Sequence, residues 1–227
     1  LLLIRKFRPA LTNSEFIGYF GIAAAASLLI AVDLLGDYYD SFWTALRYAF
    51  FQVSSVMTTT GFATTNFDLW PSFSKAILVV VMFIGASAGS TGGGIKVSRI
   101  LLLAKTAKQE IVKMLNPRRT SAVRMDGHTV EITTIRAALV FFTLYITITF
   151  ISTVIVALDG FDLVTTFTSV VTCISNVGPG LGEVGPMGNF SAFSDISKLI
   201  LSADMLLGRL EIFPILILFT PSTWRKK

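Results

Sequence analysis

Cysteine and histidine are almost missing from this sequence, which has Cys173 as its one cysteine and His128 as its one histidine. A disulfide framework needs two cysteines, and thiolate clusters or histidine-based zinc sites need several cysteines or histidines. The composition therefore excludes such metal sites and a redox dithiol. His128 lies in a basic stretch without a catalytic grouping, and we interpret it as a solvated loop residue.

Charged residues are also scarce. They make up 15% of the 227 residues, whereas a soluble domain carries roughly 25%. Hydrophobic residues reach 53%, and the mean hydropathy is +0.71. Several apolar runs are long enough for a helix to cross a hydrocarbon core of roughly 30 Å. The sequence therefore predicts an all-α integral membrane protein with several spans.

The basic residues favour orientation in a membrane over nucleic-acid binding, although 19 lysines and arginines exceed 14 acidic residues. Fifteen of the 19 fall in three groups, and basic groups beside spans mark the cytoplasmic side. We therefore place all three groups in the cytoplasm and expect no nucleic-acid partner. The groups are Arg5, Lys6 and Arg8; Lys96, Arg99, Lys105, Lys108, Lys113, Arg118, Arg119, Arg124 and Arg136; and Arg225, Lys226 and Lys227.

The first quarter of the chain predicts one span followed by a shorter helix. Phe16–Leu35 is nearly uncharged and is typical of a helix that runs outwards from the cytoplasm. Ser41–Met57 lies at the lower length limit for a span and carries Arg47. It ends in Thr58–Phe62, whose hydroxyl residues and glycine disfavour further helix. We expect a helix that stops inside the membrane and returns as extended backbone.

The next apolar run, Ala76–Leu103, contains five glycines between Gly85 and Gly94. Each glycine costs a helix roughly 1 kcal/mol relative to alanine, so the helix should break there. Such a break is tolerated at membrane depth only where the backbone is buried in protein or borders a water-filled cavity. A basic cytoplasmic connection, Lys96–Arg136, follows, with turn signals at Asn116–Pro117 and Asp126–Gly127.

The second half of the chain has the same order of segments as the first. Ala137–Leu158 carries no charge and predicts a span. Leu163–Ser175 predicts a short helix that ends in Asn176–Gly180, and Ile196–Phe219 predicts a return to the cytoplasm. The order is span, re-entrant helix with a glycine exit, and span, in both halves. Parallel repeats of this kind are one known construction of membrane pathways.

Two offsets align the halves. An offset of 117 places Gly61 on Gly178, and an offset of 123 places Gly85 on Gly208. Further matches are Phe50 with Phe167, Ser55 with Thr172, Met57 with Ile174, Thr58 with Ser175, Ser74–Lys75 with Ser197–Lys198, and Leu78 with Leu201.

A short helix with a glycine-containing extended exit predicts part of an ion filter. Extended backbone can turn carbonyl oxygens towards an axis, where they replace the hydration shell of a cation, and glycine permits the required φ values. The alternative is a pair of ordinary external loops with turn glycines. Two such exits in register favour the filter.

Three motifs resemble the bacterial Trk/Ktr potassium-uptake family: Thr58–Phe62 after the short helix, Gly89–Lys96 in the broken span, and Gly208–Glu211 in the last span. The resemblance covers essentially the whole chain. It implies four fused span–loop–span repeats around one pore, with a filter glycine in each loop. By this resemblance the chain corresponds to the C-terminal half, with residues 1–110 as repeat three, 111–136 as a cytoplasmic connection, and 137–227 as repeat four.

The resemblance also implies roles for individual residues. It implies a selectivity filter at Thr59, Thr60, Gly61, Asn176, Val177 and Gly178, with potassium bound at Thr60, Gly61, Val177 and Gly178. It implies a pore-blocking gate at Gly85, Gly89, Gly92, Gly93 and Gly94, with Arg209 as a pore-facing arginine below the filter. Pro179 is compatible with an extended exit, but it removes an amide and makes this part of the filter unlike the Gly61 part.

The glycine-rich stretch has two other interpretations. A phosphate-binding loop requires lysine directly after the last glycine and then serine or threonine. Here Ile95 intervenes, and Val97 follows Lys96 in place of the hydroxyl residue. Nucleotide binding is therefore disfavoured. Packing of small residues between helices remains an alternative to the gating loop.

Charged residues within the last span need an explanation, because each costs roughly 2.5 to 3.5 kcal/mol on insertion. Asp204 and Glu211 share a helix face, whereas Arg209 points nearly the opposite way and cannot pair with Glu211 in the same helix. Arg209 then either faces a water-filled pore or pairs with a carboxylate on another helix. We interpret Asp204 and Glu211 as structural.

We therefore expect potassium uptake through a selective pore in the bacterial inner membrane, with no enzymatic activity and no cofactor besides the transported K⁺. The resemblance implies a homodimer of the full-length subunit, a cytoplasmic nucleotide-binding regulatory ring and contact with membrane lipid. Two alternatives remain open: a sodium- or proton-coupled cation symporter, and a non-conducting membrane sensor or assembly subunit.

Overall fold

The computed structural model describes residues 13–116, 122–210 and 212–214, and within them the chain is almost entirely helical. The helices are α1 (Ser14–Asp33), α2 (Phe42–Met57), α3 (Ser72–Ile84), α4 (Val97–Leu115), α5 (Ile132–Val156), α6 (Leu163–Ser175) and α7 (Asp195–Arg209). Three 3₁₀ turns cover Phe67–Leu69, Ala157–Asp159 and Gly182–Val184. Two short antiparallel strands, β1 (Arg124–Met125) and β2 (His128–Thr129), form a hairpin between α4 and α5.

Polar side chains start several of the helices by accepting hydrogen bonds from backbone amides that have no partner inside the helix. Asn13 accepts from the amides of Glu15 and Phe16 at the start of α1. Asp162 does the same at the start of α6, where hydrogen bonds from Thr165 lower the pKa of its carboxyl group. Helices α1 and α6 therefore begin at capping residues that the sequence supplies.

Two helices in the described part of the chain are long and apolar enough to cross a membrane: Ser14–Asp33, and Ile132–Asp159 with its 3₁₀ extension. Two shorter apolar helices are Ser72–Ile84 and Leu163–Ser175. At 1.5 Å per residue, the 13 residues of α3 extend about 20 Å, which is less than a bilayer core.

The predicted run Ala76–Leu103 is divided between α3 and α4, so the expected break at the glycines is present. The predicted run Ile196–Phe219 is helical as far as Arg209 and again at residues 212–214. Glu211 and residues 215–227 lie outside the described residues, as do residues 1–12 and 117–121 with their basic groups.

The helices pack as two similar sets of three. In the first set α1, α2 and α3 contact one another, and in the second set α5, α6 and α7 do so. The two sets meet where α3 packs on α6. At this contact the centroid of the Phe83 ring lies 6.0 Å from that of Phe167 on α6 and 6.1 Å from that of Tyr145 on α5. The largest buried apolar cluster lies within the first set and extends into this contact.

A carboxylate at the end of each long helix binds the start of the third helix of its set. Asp33 accepts hydrogen bonds from the amide and hydroxyl groups of Ser74, at 3.2 and 2.6 Å. Asp159 accepts from the amide of Ser194 at 2.9 Å. Because both carboxylates satisfy amide groups near a helix start, they fix where α3 and α7 begin relative to α1 and α5.

The predicted cytoplasmic connection is more ordered than the sequence indicated. Helix α4 continues through residue 110 to Leu115, and the hairpin turns at Asp126–Gly127, as the turn signal predicted. Asp126 accepts hydrogen bonds from the Ser14 amide at 2.7 Å and from the Asn13 side chain at 3.2 Å. The hydrogen bonds from Ser14 lower the pKa of Asp126. The hairpin is therefore attached to the start of α1.

Candidate functional site

The segments that follow α2 and α6, Thr58–Phe62 and Asn176–Gly180, are here called the first and second exits, and they have positive φ values at matching positions. Thr59 and Asn176 both lie in the left-handed region, with φ values of 55° and 56°. Two residues later, Gly61 and Gly178 also have positive φ values, of 78° and 110°. The offset of 117 that aligns the two glycines therefore also aligns the two left-handed residues before them, Thr59 and Asn176.

Matching hydrogen bonds stabilise the two exits. The Thr60 amide donates to the Ser55 carbonyl and the Val177 amide to the Thr172 carbonyl, both at 2.9 Å. The hydroxyl groups of Ser55 and Thr172 also donate hydrogen bonds, each to a carbonyl oxygen seven residues later in the chain. Ser55 donates to the Phe62 carbonyl oxygen at 2.6 Å, and Thr172 donates to the Pro179 carbonyl oxygen at 3.1 Å. Each exit is thus attached at both ends to its own helix.

The carbonyl groups between these attachments are free. Within residues 13–116, 122–210 and 212–214, no hydrogen bond is donated to the carbonyl oxygens of Thr60, Gly61, Val177 or Gly178. Backbone carbonyl groups are strong acceptors, and most of them find partners in folded proteins. Four free acceptors on two matched segments could therefore take a cation as their ligand.

The two exits contact each other at Gly61. A Cβ atom at this position would collide with the Val177 carbonyl oxygen and would lie 3.1 Å from Cδ of Pro179. Glycine is therefore required there both for its φ value and for the close approach of the second exit. At Gly178 a Cβ atom would meet open space, so only the φ value favours glycine.

A cavity of about 420 Å³ lies beside the exits and reaches α7. The first exit contributes Thr59 and Thr60, and the second contributes Asn176, Val177 and Gly178. Helix α7 contributes Lys198, Leu201, Ser202 and Met205, and the remaining wall consists of Thr172, Cys173 and Phe190. The structure thus brings five of the six predicted filter residues to one cavity, and the sixth, Gly61, lies directly against Val177.

The glycine-rich segment between α3 and α4 forms a loop whose ends are held together. Ile95 and Lys96 donate backbone hydrogen bonds to the carbonyls of Phe83 and Ile84, at 3.0 and 2.9 Å. Gly85 and Gly94, both with positive φ, face each other so closely that a Cβ atom on Gly94 would lie 2.9 Å from the Gly85 Cα atom. The residues before α4 therefore stay attached to the end of α3, and the residues between Gly85 and Gly94 form the loop that projects from this attachment.

The projecting part of this loop packs against the ends of both short helices. A Cβ atom on Gly93 would collide with the Ser175 carbonyl oxygen, and one on Gly92 would lie 3.0 Å from the Thr59 hydroxyl oxygen. Both glycines are buried, whereas Gly89 is exposed and has open space around it. The loop therefore abuts Thr59 on the first exit and the residue before Asn176 on the second.

Two charged side chains from different helices hold the loop. Glu15 in the first turn of α1 accepts a hydrogen bond from the Ala88 amide at 2.5 Å. Arg209 at the end of α7 donates a hydrogen bond to the Thr91 carbonyl oxygen. Arg209 is exposed, and no carboxylate of the described residues is paired with it. Of the two sequence interpretations of Arg209, a buried ion pair receives no support within the described part of the chain.

Helix α7 also supports the second exit. The Asn176 side chain donates to the Met205 carbonyl oxygen at 3.1 Å, and a Cβ atom on Gly208 would collide with the Ile174 carbonyl oxygen. Tyr145 on α5 forms a hydrogen bond with Ser175 at 2.7 Å. The end of α6 is therefore held from two sides.

Sequence reasoning did not assign several residues to the site: Glu15, Ser55, Tyr145, Thr172 and Met205. The sequence did mark Ser55 and Thr172, because the offset of 117 aligns them and each is a hydroxyl residue six positions before a filter glycine. Glu15 resembles an ordinary acidic residue in a first helical turn, and the hydrogen bond at Met205 uses its backbone carbonyl, which any residue could provide. Nothing in the sequence pattern marks those two.

Residues 39–226 match the family TrkH, described as a cation transport protein. The chain belongs to this family. It is 37% identical over 227 residues to the Trk system potassium uptake protein TrkH of Salmonella typhimurium, covering all of this chain and 47% of that protein. It is 38% identical over 214 residues to the protein of the same name from Vibrio parahaemolyticus, covering 94% and 44%.

The fold agrees with a solved structure of a TrkH protein. The crystal structure of the potassium transporter TrkH from Vibrio parahaemolyticus matches with a TM-score of 0.85 and 37% identity, covering 94% of this chain and 45% of that one. The chain spans about half the length of the curated relatives it matches. TrkH membership makes it a multi-pass protein of the bacterial inner membrane, in a family of transporters and not of enzymes.

Proposed function

We propose that this chain forms half of a potassium-selective pore for potassium uptake. The observation that carries the proposal is the pair of matched exits, with equal hydrogen bonds, equal φ signs and free carbonyl oxygens. The printed names of the TrkH relatives, which are potassium uptake proteins, support the choice of ion.

The filter assignment concerns six residues: Thr59, Thr60, Gly61, Asn176, Val177 and Gly178. Potassium binds the carbonyl oxygens of Thr60, Gly61, Val177 and Gly178, which replace part of its hydration shell. The attachments at Phe62 and Pro179 keep each exit extended. Inward movement needs no ATP chemistry in this chain, because the membrane potential favours cation entry by about 2.3 kcal/mol per charge per 100 mV.

We further propose that the chain comprises two parallel repeats, residues 1–110 and 137–227, joined by the connection 111–136. Helices α2 and α6 end at nearly equivalent positions at an offset of 117, and α3 and α7 begin at Ser72 and Asp195, an offset of 123. The two carboxylate attachments at the ends of α1 and α5 support the same correspondence. Two such repeats form part of a ring, and two further repeats in the full-length subunit complete it.

The loop between Gly85 and Gly94 acts as the gate in this proposal, with Gly89, Gly92 and Gly93 in its projecting part. Its contacts with the first exit and with the end of α6 support this role, since a loop in that place obstructs ions that leave the filter. Arg209 holds the loop and adds a positive charge that repels cations there.

The proposed partners follow from the family resemblance. They are a second copy of the full-length subunit, a cytoplasmic nucleotide-binding ring that regulates the gate, and membrane lipid. Lipid contact is supported by α5, where Phe150 and Val154 are 62% and 70% exposed although they are apolar. No cofactor other than the transported K⁺ takes part.

The test is rubidium uptake into liposomes that contain the full-length subunit. Uptake that follows the membrane potential and is reduced by excess K⁺ but not by Na⁺ supports the selective pore. A strict requirement for a sodium or proton gradient would instead support a coupled symporter. No uptake by folded protein would support a sensor or assembly subunit. Rubidium density beside Gly61 and Gly178 in crystals of the same protein tests the filter residues directly.

A further inference from the structure

Asp204 is a buried carboxylate that the proposed pore does not use. Its side chain is 2% exposed on α7, and its Oδ1 atom accepts a hydrogen bond from the Ser152 hydroxyl on α5 at 2.9 Å. Its Oδ2 atom is buried without a hydrogen-bond partner among the described residues. A buried polar atom without a partner is costly, and an ionised carboxylate in such a place is more costly still.

Among the described residues, the helices that pack around Asp204 place no positive charge beside it. Helix α6 carries no charged residue, and α5 carries only Arg136, four turns before Ser152 along the helix. On α7 itself Lys198 and Arg209 lie six and five residues away, which places them on other faces of the helix. The titratable groups near Asp204 on the neighbouring helices are Tyr145 and Cys173.

Neither of these groups neutralises the carboxylate. The Tyr145 hydroxyl group forms its hydrogen bond with Ser175, and Cys173 is a buried free thiol among apolar residues. A metal cation is also a poor occupant, since hard cations need about six oxygen ligands and Asp204 shares its site with only the Ser152 hydroxyl. A proton needs a single oxygen atom, and Oδ2 is available for it.

We propose that Asp204 is a proton-binding site and that proton binding there opposes potassium binding in the filter. The second half of this statement rests on the proposed function. Met205, the next residue, accepts the hydrogen bond from Asn176, and Cys173 near Asp204 borders the same cavity as the second exit. An ionised Asp204 attracts a cation across this low-dielectric region, and its protonation removes that attraction. By linkage, a bound cation must in turn promote proton release.

Infrared difference spectroscopy of the full-length subunit tests the proton site without any measurement of transport. The wild type should show a titrating carboxylic-acid band of a buried group, which Asp204→Asn removes. Asp195→Asn is the matched control, since Asp195 is an exposed acid in the first turn of the same helix. The band of the buried acid should remain in this variant. An unchanged band in Asp204→Asn would overturn the assignment.

A second variant keeps the test decisive if Asp204→Asn does not fold. Ser152 donates to the carboxylate and so favours its ionised form. Ser152→Ala should therefore move the titration midpoint of the band to higher pH. A midpoint that does not move would contradict the assignment of the band to Asp204.

The link to potassium is tested by rubidium uptake at several pH values. The half-saturating rubidium concentration of the wild type should rise several-fold as the pH falls through the titration of the band, and it should be independent of pH in Asp204→Asn. If the band titrates but half-saturation stays constant in the wild type, the linkage is wrong. If the wild type shows no uptake, the proposed pore fails, whereas the infrared result still decides the proton site.

Discussion

Thr59 and Asn176 are 117 residues apart, yet both adopt the left-handed conformation, with φ values of 55° and 56°. Non-glycine residues rarely do so; Asn176 directly follows α6, and Thr59 lies two residues after the end of α2. Asparagine tolerates this region better than threonine, and the Asn176 side chain also donates a hydrogen bond to the Met205 carbonyl oxygen on α7. The two exits therefore share an uncommon backbone conformation at the same position.

The two filter glycines should respond differently to serine. Gly178→Ser places a side chain in open space at a cost of about 1–2 kcal/mol for the left-handed backbone, so the pore stays open but the exit shifts. Gly61→Ser also drives a Cβ atom into the Val177 carbonyl oxygen. We expect Gly178→Ser to lower the K⁺/Na⁺ permeability ratio with most of the flux retained, and Gly61→Ser to lower both. An unchanged ratio in folded Gly178→Ser would contradict the filter assignment.

The hydroxyl groups of Ser55 and Thr172 should matter for selectivity. Ser55→Ala and Thr172→Val each remove a hydrogen bond to an exit carbonyl, a loss of about 0.5–1.5 kcal/mol. The exit then becomes more mobile, and the permeability ratio should fall in both variants. Ser54→Ala is the matched control, because the Ser54 hydroxyl group makes no hydrogen bond within the described residues. Equal ratios in Ser54→Ala and Ser55→Ala would show that the attachment is not needed.

A methyl group on Gly93 should open the gate. Gly93→Ala forces the loop away from the Ser175 carbonyl oxygen, so basal rubidium flux should rise and depend less on a regulator. Gly21→Ala in α1 serves as the control, because a Cβ atom there meets open space and the residue has no positive φ value. Deletion of residues 87–91 should raise the flux in the same way, because the bonds from Ile95 to Phe83 and from Lys96 to Ile84 can persist. A joint fall of expression and flux would instead indicate that the loop only packs helices together.

Substitution of Arg209 distinguishes two roles for this residue, a barrier to cations and a structural contact. Arg209→Ala removes the positive charge and the hydrogen bond to Thr91, so flux should rise at equal protein level. Thermal stability should change little, since exposed Arg209 has no paired carboxylate in the described part of the chain. Arg209→Lys retains the charge and should keep the flux low. Lower stability without a gain in flux would make Arg209 structural, because breaking a buried ion pair costs roughly 3 to 5 kcal/mol.

Much of the local structure could be predicted from residue type and order. Leu163–Ser175 was predicted as a short helix and is one, and the turn at Asp126–Gly127 is present. The glycines between Gly85 and Gly94 predicted a broken helix because glycine costs helical backbone free energy wherever it lies. The length of α4 was missed, since its charged residues suggested a loop although lysine, glutamine and glutamate are good helix formers.

The sequence by itself determined the membrane class and most of the helical segments, because hydropathy, glycine and helix-forming residues act within a few residues of one another. Only the tertiary structure decided that Glu15 holds Ala88, that Arg209 holds Thr91 and that the Val177 carbonyl fills the space beside Gly61. It also decided that Asp204 is buried with one oxygen unpartnered among the described residues. These contacts join residues far apart in the chain, so they depend on how the described helices pack, and no local pattern encodes that arrangement.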